Sequence, residues 1–473
     1  MLALATFSIP IVGSFLALAA NRISALLRNA LAVLVALATF ACALALAPLA
    51  AATQRVALGP LLLPGLNLNF MVDGLGVYVA VTSSFVGLLI VLYSLGYMKE
   101  YEHQGEYYFL LALFLGAMMG LVLSANLLLV YIFWEVTAIC SWRLIGFYRK
   151  REHLRNADVA LLMTVSGSFF MLAGLEMIWH QAGTLDLAAL HGHPVSDLAV
   201  AFLLAGMLAK SAQVPFQVWL PGAGVAPSTV TALLHAAVLV VIGVFAFARV
   251  LVATLGLTPT WQLVTSALAV LTLLVTGAAA LVEHDAKRIL AYSTIAQLGY
   301  VFLGLASMTP LGIAGALVFL LAHSLGKAGL FLCVGIVEHE THTRDLRELG
   351  GLIKRMPITA VSFILCALNI VGLPPTAGFF GKLMIILGLV QSGGFLLAVL
   401  AVAGGLINLL YALRIFNGLF LGPERWPQVT ERTPLMLAVV AIFAALPLAL
   451  GLAATPLLSV VSGVVSQMLR LGT

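Results

Sequence analysis

The chain has 473 residues, 62% of them apolar and only 9% charged, with a net charge of +5. An ordinary soluble domain carries about 25% charged residues, so the composition excludes one. The modest positive balance falls in short polar linkers and gives no sign of nucleic-acid binding.

In hydrocarbon a long apolar chain satisfies its backbone with helices or a closed barrel. The apolar runs here last about 20 residues and lack the alternation of barrel strands, which leaves helices. Read in chain order, they predict about fourteen spans. These cover residues 2–20, 29–50, 73–95, 106–123, 125–147, 157–179, 198–219, 226–251, 261–282, 287–306, 311–337, 358–389, 393–421 and 434–465. The first span has no basic leading region and no small-residue cleavage site, so it reads as retained. The fold class expected is an all-α polytopic membrane protein.

Basic residues set the orientation. Arg22, Arg28, Lys99, Arg149, Lys150, Arg151, Arg155, Lys287, Arg288, Arg344, Arg347, Lys354, Arg355, Arg425 and Arg432 follow odd-numbered spans, and Arg55 alone follows an even-numbered one. The positive-inside rule then puts the first set in the cytoplasm and both termini on the other side of the inner (plasma) membrane. Cys42, Cys140, Cys333 and Cys366 fall within spans without CxxC spacing and read as small buried hydrophobes.

Two spans are interrupted alike. The seventh, GMLAKSAQVPFQVWLPGAG, places Lys210 before Pro215; the twelfth, NIVGLPPTAGFFGKLMII, places Pro374 and Pro375 ahead of Lys382. Proline removes a ladder donor and frees carbonyls, so both helices are expected to break near the midplane. Interrupted spans in corresponding positions point to an inverted repeat, spans 4–8 repeating as 9–13. The expected division is 1–105 (three helices), 106–251 (first half), 261–421 (second half) and 422–473 (last helix).

Ionisable residues sit inside these spans, where a charge costs roughly 2.5–3.5 kcal/mol on insertion scales. Glu135, in LLLVYIFWEVTAICSW, has Lys210 as its natural partner. A desolvated lysine releases its proton readily and holds it again when a carboxylate approaches, so a movable glutamate switches such a lysine. A static pair fixing two helices is the plainer alternative. His235 is the next acceptor, since histidine as a residue type titrates near neutral pH, or else a hydrogen-bonded packing residue. His323 and Lys327 lie four apart on one helix face, and Lys382 sits beyond the second break as the exit group. Tyr292, Ser293 and Thr294 are candidates for ordering water, or for ordinary interhelical bonding. Arg143 reads as snorkelling to the interface, Arg414 as holding a carbonyl or a partner, and Asp73 as a cap.

The blocks YIFWEVTAICSWRLIGF, AKSAQVPFQVWLPGAGVAPSTVTALLHAA, EHDAKRILAYSTIAQLGY, HSLGKAGLFL and LPPTAGFFGK resemble the signatures of the antiporter-like subunits. That superfamily comprises membrane-arm subunits of respiratory complex I, Mrp-type cation/proton antiporters and energy-converting hydrogenases. The resemblance covers roughly residues 65–420 and implies fourteen helices, an inverted five-helix repeat and a central hydrophilic axis. By motif position it assigns the key glutamate to Glu135, the broken-helix lysine to Lys210, the bridging histidine to His235 and the second-half lysines to Lys327 and Lys382. EHETHTRDLRELGGL is closer to the large Mrp and hydrogenase-type members. Arg143, Val241 and Leu383 depart from the pattern.

The expected function is proton translocation along Glu135, Lys210, His235, His323, Lys327 and Lys382, within a larger redox-driven complex. No cofactor or metal is expected in this chain; the partners are other membrane-arm subunits, peripheral redox subunits and lipid. The alternatives are a subunit of an Mrp-type Na+/H+ antiporter, and a membrane anchor for a soluble partner such as an inorganic-carbon uptake protein. Sodium prefers clustered oxygen ligands, by analogy with hard divalent ions, and this axis offers one firm carboxylate and three lysines.

Overall fold

The computed structural model describes residues 1–60 and 67–470. Residues 61–66 and 471–473, which fall in the first and last expected segments, lie outside the described residues. Among the described residues, twelve helices are long and apolar enough to cross a membrane, and three shorter apolar helices accompany them. The chain is a multi-pass helical membrane protein.

Helices α1 (Leu2–Ala20) and α2 (Ala25–Ala45) form a hairpin, with the Ser24 hydroxyl capping the Leu27 N–H of α2. Strands β1 (Gln54–Pro60) and β2 (Asn67–Val72) then pair antiparallel, with Gln54 opposite Val72 and Ala57 opposite Asn69. This hairpin lies in a stretch the hydropathy reading treats as a linker. It is tied down by Asn69 and Arg55, which both bond Asp186, at 3.0 and 3.3 Å. Helices α3 (Gly74–Tyr97), α4 (Gln104–Leu123), α5 (Leu127–Ile145) and α6 (Arg151–Ala182) follow.

The seventh span is shorter than its expected 198–219. Helix α7 (Asp197–Lys210) stops at Lys210, Ala212 takes a positive φ of 51°, and the chain runs irregularly through a cis Val214–Pro215 bond to the single turn α8 (Trp219–Gly222). The eighth span, expected unbroken over 226–251, is also interrupted. It comprises α9 (Ser228–Ala236), α10 (Leu239–Ala246) and a π-helical turn at Phe247–Val252. Its break at Ala237–Val238 frees carbonyls that accept from neighbouring hydroxyls: Ser83 donates to Ala237 O at 2.6 Å and Ser211 to Val240 O at 3.0 Å. Non-helical backbone at membrane depth is tolerated where protein satisfies it in this way. Gly243 permits the close approach, since a Cβ there would lie 2.3 Å from Met207 O.

Helices α11 (Pro259–Val282), α12 (Ala286–Ala306) and α13 (Pro310–Thr341) follow, then the twelfth span as two pieces, α14 (Pro357–Val371) and α15 (Ala377–Gln391), around a cis Pro374–Pro375 bond. Helix α16 (Phe395–Phe420) is continuous. The last span, expected as one segment over 434–465, is two helices, α17 (Pro434–Leu452) and α18 (Ala454–Arg470).

Helices α9 and α10 and nearly all of α12 and α13 lie inside the bundle, whereas α1, α2, α6 and α16 expose apolar faces such as Leu34, Leu37, Leu162, Phe169, Leu406 and Leu410. An apolar exposed belt around a polar-studded interior is what a lipid environment selects. Two residues counted as loop cations are in fact interior. Arg28 is 5% exposed and bonds Asn21, Asn29 and Gln104, while Lys287 is 1% exposed. Arg143 does not simply snorkel: it pairs with Glu106, which Arg149 also holds at 2.7 Å.

Candidate functional site

Helix α5 carries Glu135 half-buried, with its Oε1 enclosed and without a hydrogen-bond partner. Lys210, wholly buried at the end of α7, reaches across to α5. The direct pair expected between them is open. The Lys210 Nζ donates to the Trp134 carbonyl at 3.1 Å, one residue short of Glu135, and lies 5.1 Å from the Trp134 ring centroid. Ser168 fixes that ring by accepting its Nε1–H at 3.0 Å. Glu135 remains close enough to act on Lys210 electrostatically.

His235, at the end of α9, is fully buried against the Phe331 ring, 4.5 Å between centroids, and neither ring nitrogen has a protein partner. From α13, His323 brings its Nε2 to 3.2 Å from the His235 carbonyl. Lys327, one turn along α13, donates to Ser293 Oγ at 2.6 Å and to Leu290 O at 3.2 Å. Ser293 is joined to the Tyr411 hydroxyl at 2.9 Å, which also accepts from Gln297 at 3.0 Å. Of the three expected water-ordering residues, Ser293 therefore contacts the axis. Thr294 bonds back to Leu290 O within its helix, and Tyr292 lines a cleft elsewhere.

Lys382, on α15, reaches back over the second break and donates to Ile370 O at 2.8 Å and Val371 O at 3.2 Å. A cation suits those carbonyls because they end α14, where the helix dipole is negative. Gly372, with φ +86°, is needed there: a Cβ would come within 2.8 Å of Lys382 Cδ. Asn408 also donates to Ile370 O at 2.9 Å, and the Tyr300 ring lies 4.3 Å below the ammonium. A small void bordered by Ser293, Ile370, Asn408 and Tyr411 separates the Lys327 and Lys382 networks.

Among the described residues, no carboxylate comes within 4.0 Å of the Nζ of Lys210, Lys327 or Lys382. Each ammonium rests on neutral carbonyls, hydroxyls or rings. A buried charge without a counter-ion is costly, and such groups in membranes mark ion routes. Arg414 matches one of its two expected uses, donating to the carbonyls of Ala280 and Glu283.

Two ion pairs, one wholly buried and one with a half-buried carboxylate, escaped the sequence reading. Asp73 accepts from Gly76 N at 2.9 Å as the expected cap, and it also receives both terminal nitrogens of Arg249, one at 2.6 Å; both side chains are 2% exposed. Lys287 pairs with Glu338 at 2.5 Å. The partners lie far apart in the chain, so no spacing rule joins them.

A family model described as NADH:quinone oxidoreductase/Mrp antiporter, TM, matches residues 124–408, and one described as NADH-Ubiquinone oxidoreductase (complex I), chain 5 N-terminus, matches residues 65–108. The chain therefore belongs to the antiporter-like family of membrane subunits found in complex I and Mrp antiporters. Among curated relatives, Na(+)/H(+) antiporter subunit A1 of Staphylococcus saprophyticus is 34% identical over 82% of this chain and 52% of its own length. The Staphylococcus epidermidis protein of the same name is 33% identical over 82% and 53%. This chain thus spans about half the length of the curated relatives it matches. Solved structures share the fold along the whole chain. A chain of the Mrp complex from Dietzia sp. DQ12-45-1b matches with TM-score 0.88 at 22% identity, covering 100% and 99% of the two chains. A chain of an archaeal membrane-bound sulfane sulfur reductase matches with TM-score 0.90 at 22%, covering 99% and 98%. A chain of respiratory complex I from Thermus thermophilus matches with TM-score 0.87 at 26%, covering 100% of each.

Proposed function

We propose that this chain is a proton-translocating subunit of a larger membrane complex, carrying protons along Glu135, Lys210, His235, His323, Lys327 and Lys382. The observation that carries the reading is the set of three buried lysines with no bonded carboxylate, strung through the same interior as two buried histidines. Each lysine has a donor-ready cage that stabilises the charged form only partly, so its proton is available for transfer. The same lysines disfavour a sodium path, which would need clustered oxygen ligands.

The proposal includes fourteen membrane crossings, counting α7 with α8, α9 with α10, α14 with α15 and α17 with α18 as single crossings, and an inverted repeat of 106–251 and 261–421. Support comes from paired features at one displacement. The bridge Asn126–Asp186 has a counterpart in Asp285–Asp345, shifted by 159 residues at both ends (285 − 126 and 345 − 186). That shift also carries Trp134 and its partner Ser168 onto Ser293 and its partner Lys327, and Pro215 onto Pro374. The clustered loop arginines support a plasma-membrane orientation with both termini outside.

Membership in a redox-driven assembly is the leading placement, as expected from the shared complex I and sulfane sulfur reductase fold. A second reading, an Mrp-type Na+/H+ antiporter subunit, is favoured by the 34% identity to a subunit A1. Purification from native membranes in mild detergent, with mass spectrometry of bound proteins, separates them. Iron–sulfur, nickel–iron or flavoprotein partners support the first, and only small multi-span partners support the second. A chain that purifies alone and conducts no protons in vesicles defeats both.

A further inference from the structure

A cleft of about 540 Å³ opens at the end of the bundle that carries Arg288, Arg344 and Arg347. Its walls include Gln217 and Gly224 beyond the first break, Asp285, Arg288 and Tyr292 of the α12 turn, and Arg344. From this cleft a line of alternating charges runs inward. Asp285 pairs with Arg344 at 2.5 Å, Arg344 stands 3.6 Å from Glu338 Oε1, and Glu338 Oε2 meets Lys287 at 2.5 Å. Exposure is 20% at Asp285, 28% at Arg344 and 25% at Glu338, and drops to 1% only at Lys287.

Inside the pair the environment becomes one of neutral polar groups. Lys287 also donates to Ala226 O at 3.0 Å, Ser228 Oγ donates to Glu338 at 3.0 Å, and the Ser228 N–H reaches the Tyr97 hydroxyl at 3.4 Å. Tyr93 lies one turn deeper on α3, with its hydroxyl on Leu332 O at 2.9 Å. Glu338 lies three turns from Lys327 on the same face of α13, about 16 Å at 1.5 Å per residue. Lys327 in turn bonds Leu290 O, one turn along α12 from Lys287.

We propose that Glu338 and Lys287 form a proton-uptake pair that feeds Lys327 from the cleft. This rests on the proton-translocation reading above. A proton passes from cleft water to the Glu338 carboxylate, cancelling the charge that holds the Lys287 ammonium. Lys287 then releases its proton inward, and the Glu338 carboxylic acid hands its own proton to the Lys287 amine. One proton has moved, and the pair is restored as carboxylate and ammonium. The looser Arg344 contact keeps the carboxylate turned toward water while the line resets.

The test is proton flux in vesicles containing the complex isolated from native membranes, read with an enclosed pH dye. Wild-type flux that vanishes in Lys210→Ala first establishes translocation; a wild-type complex without flux overturns the function and this inference together. Lys287→Arg keeps the charge and the ion pair but cannot release a proton. The expected result is an assembled complex with flux reduced at least about a hundredfold, on the scale of a lost proton-transfer group. Unchanged flux makes the pair a structural staple and overturns the inference while leaving the function standing. If Lys287→Arg does not assemble, a pH-jump infrared difference spectrum decides. A protonated-carboxyl band that shifts in Glu338→Asp supports uptake, and identical spectra overturn it.

Discussion

In the half built from α4 to α10, the lysine of the broken helix precedes the break and leans on α5, where a carboxylate waits one residue from its present acceptor. In the half built from α11 to α16, the position displaced by 159 residues from Lys210 is Asn369, and the charge comes instead from Lys382, beyond the break, reaching back to the adjoining carbonyls. Both halves thus place an ammonium at the broken end of a helix, from opposite directions along the chain. Among the described residues, only the first has a carboxylate beside it. A lysine next to a movable acid can be switched by that acid, whereas lysines in neutral cages respond to each other and to arriving protons.

If that contrast holds, the largest effect belongs to the lysines themselves. Lys210→Ala and Lys327→Ala should each lower proton flux about a hundredfold or more, as expected for a lost transfer group. The complex should assemble in both, by mass spectrometry of the purified sample. Normal flux in Lys210→Ala would sink its role, and normal flux in Lys327→Ala alone would confine transport to the first half.

Glu135 sharpens the comparison, because it acts on only one of the halves. Glu135→Gln should approach the Lys210→Ala defect, since an amide cannot hold a charged lysine, and Glu135→Asp should retain partial flux. Equal flux in Gln and wild type would show that Lys210 works from its carbonyl cage as the second-half lysines do.

Asp73 tests stability separately from transport. Asp73→Asn leaves Arg249 buried without its counter-ion and should destabilise the protein by about 3–5 kcal/mol. A lowered melting temperature in detergent is the readout, and an unchanged one would mean that Arg249 finds another acceptor.

The smallest effect is expected at Asp345, on the loop after α13. Side-chain and backbone hydrogen bonds from Arg347 lower its carboxyl from 3.8 to about 2. Because the folded value is depressed, the contribution to stability is complete above about pH 4 and is lost as pH falls through about 2. Asp345→Asn should thus change melting only slightly at neutral pH, and its difference from wild type should shrink as pH falls through about 2 and vanish below it. A difference that persists there would assign the effect to something other than this charge.

The lysines and prolines made the two expected breaks legible, since a charge and a missing donor both stand out in an apolar run. The third break, inside ALLHAAVLVV, contains neither proline nor glycine. It depends on a hydroxyl from Ser83 on α3, and nothing local announces it. Lys287 was misplaced for a related reason: hydropathy puts it at a span edge, while its interior position depends on Glu338 from another helix. The β-hairpin at Gln54–Val72 was missed because one of its anchors, Asp186, belongs to a loop far along the chain. Composition and periodicity report what a segment prefers, and these features are decided by what distant segments provide.

Helix α3 belongs to neither proposed repeat, yet it is bonded to both. Ser83 takes up the Ala237 carbonyl in one half, and Tyr78 and Tyr93 donate to Leu317 O and Leu332 O in the other, each at 2.9 Å. A protein trimmed to the ten repeated helices would strip the Ser83 donor from the Ala237 carbonyl at the break and remove both tyrosine bonds to α13. The smallest excised unit that an engineer could expect to insert and hold its shape therefore begins before Gly74, with the Asp73 cap included.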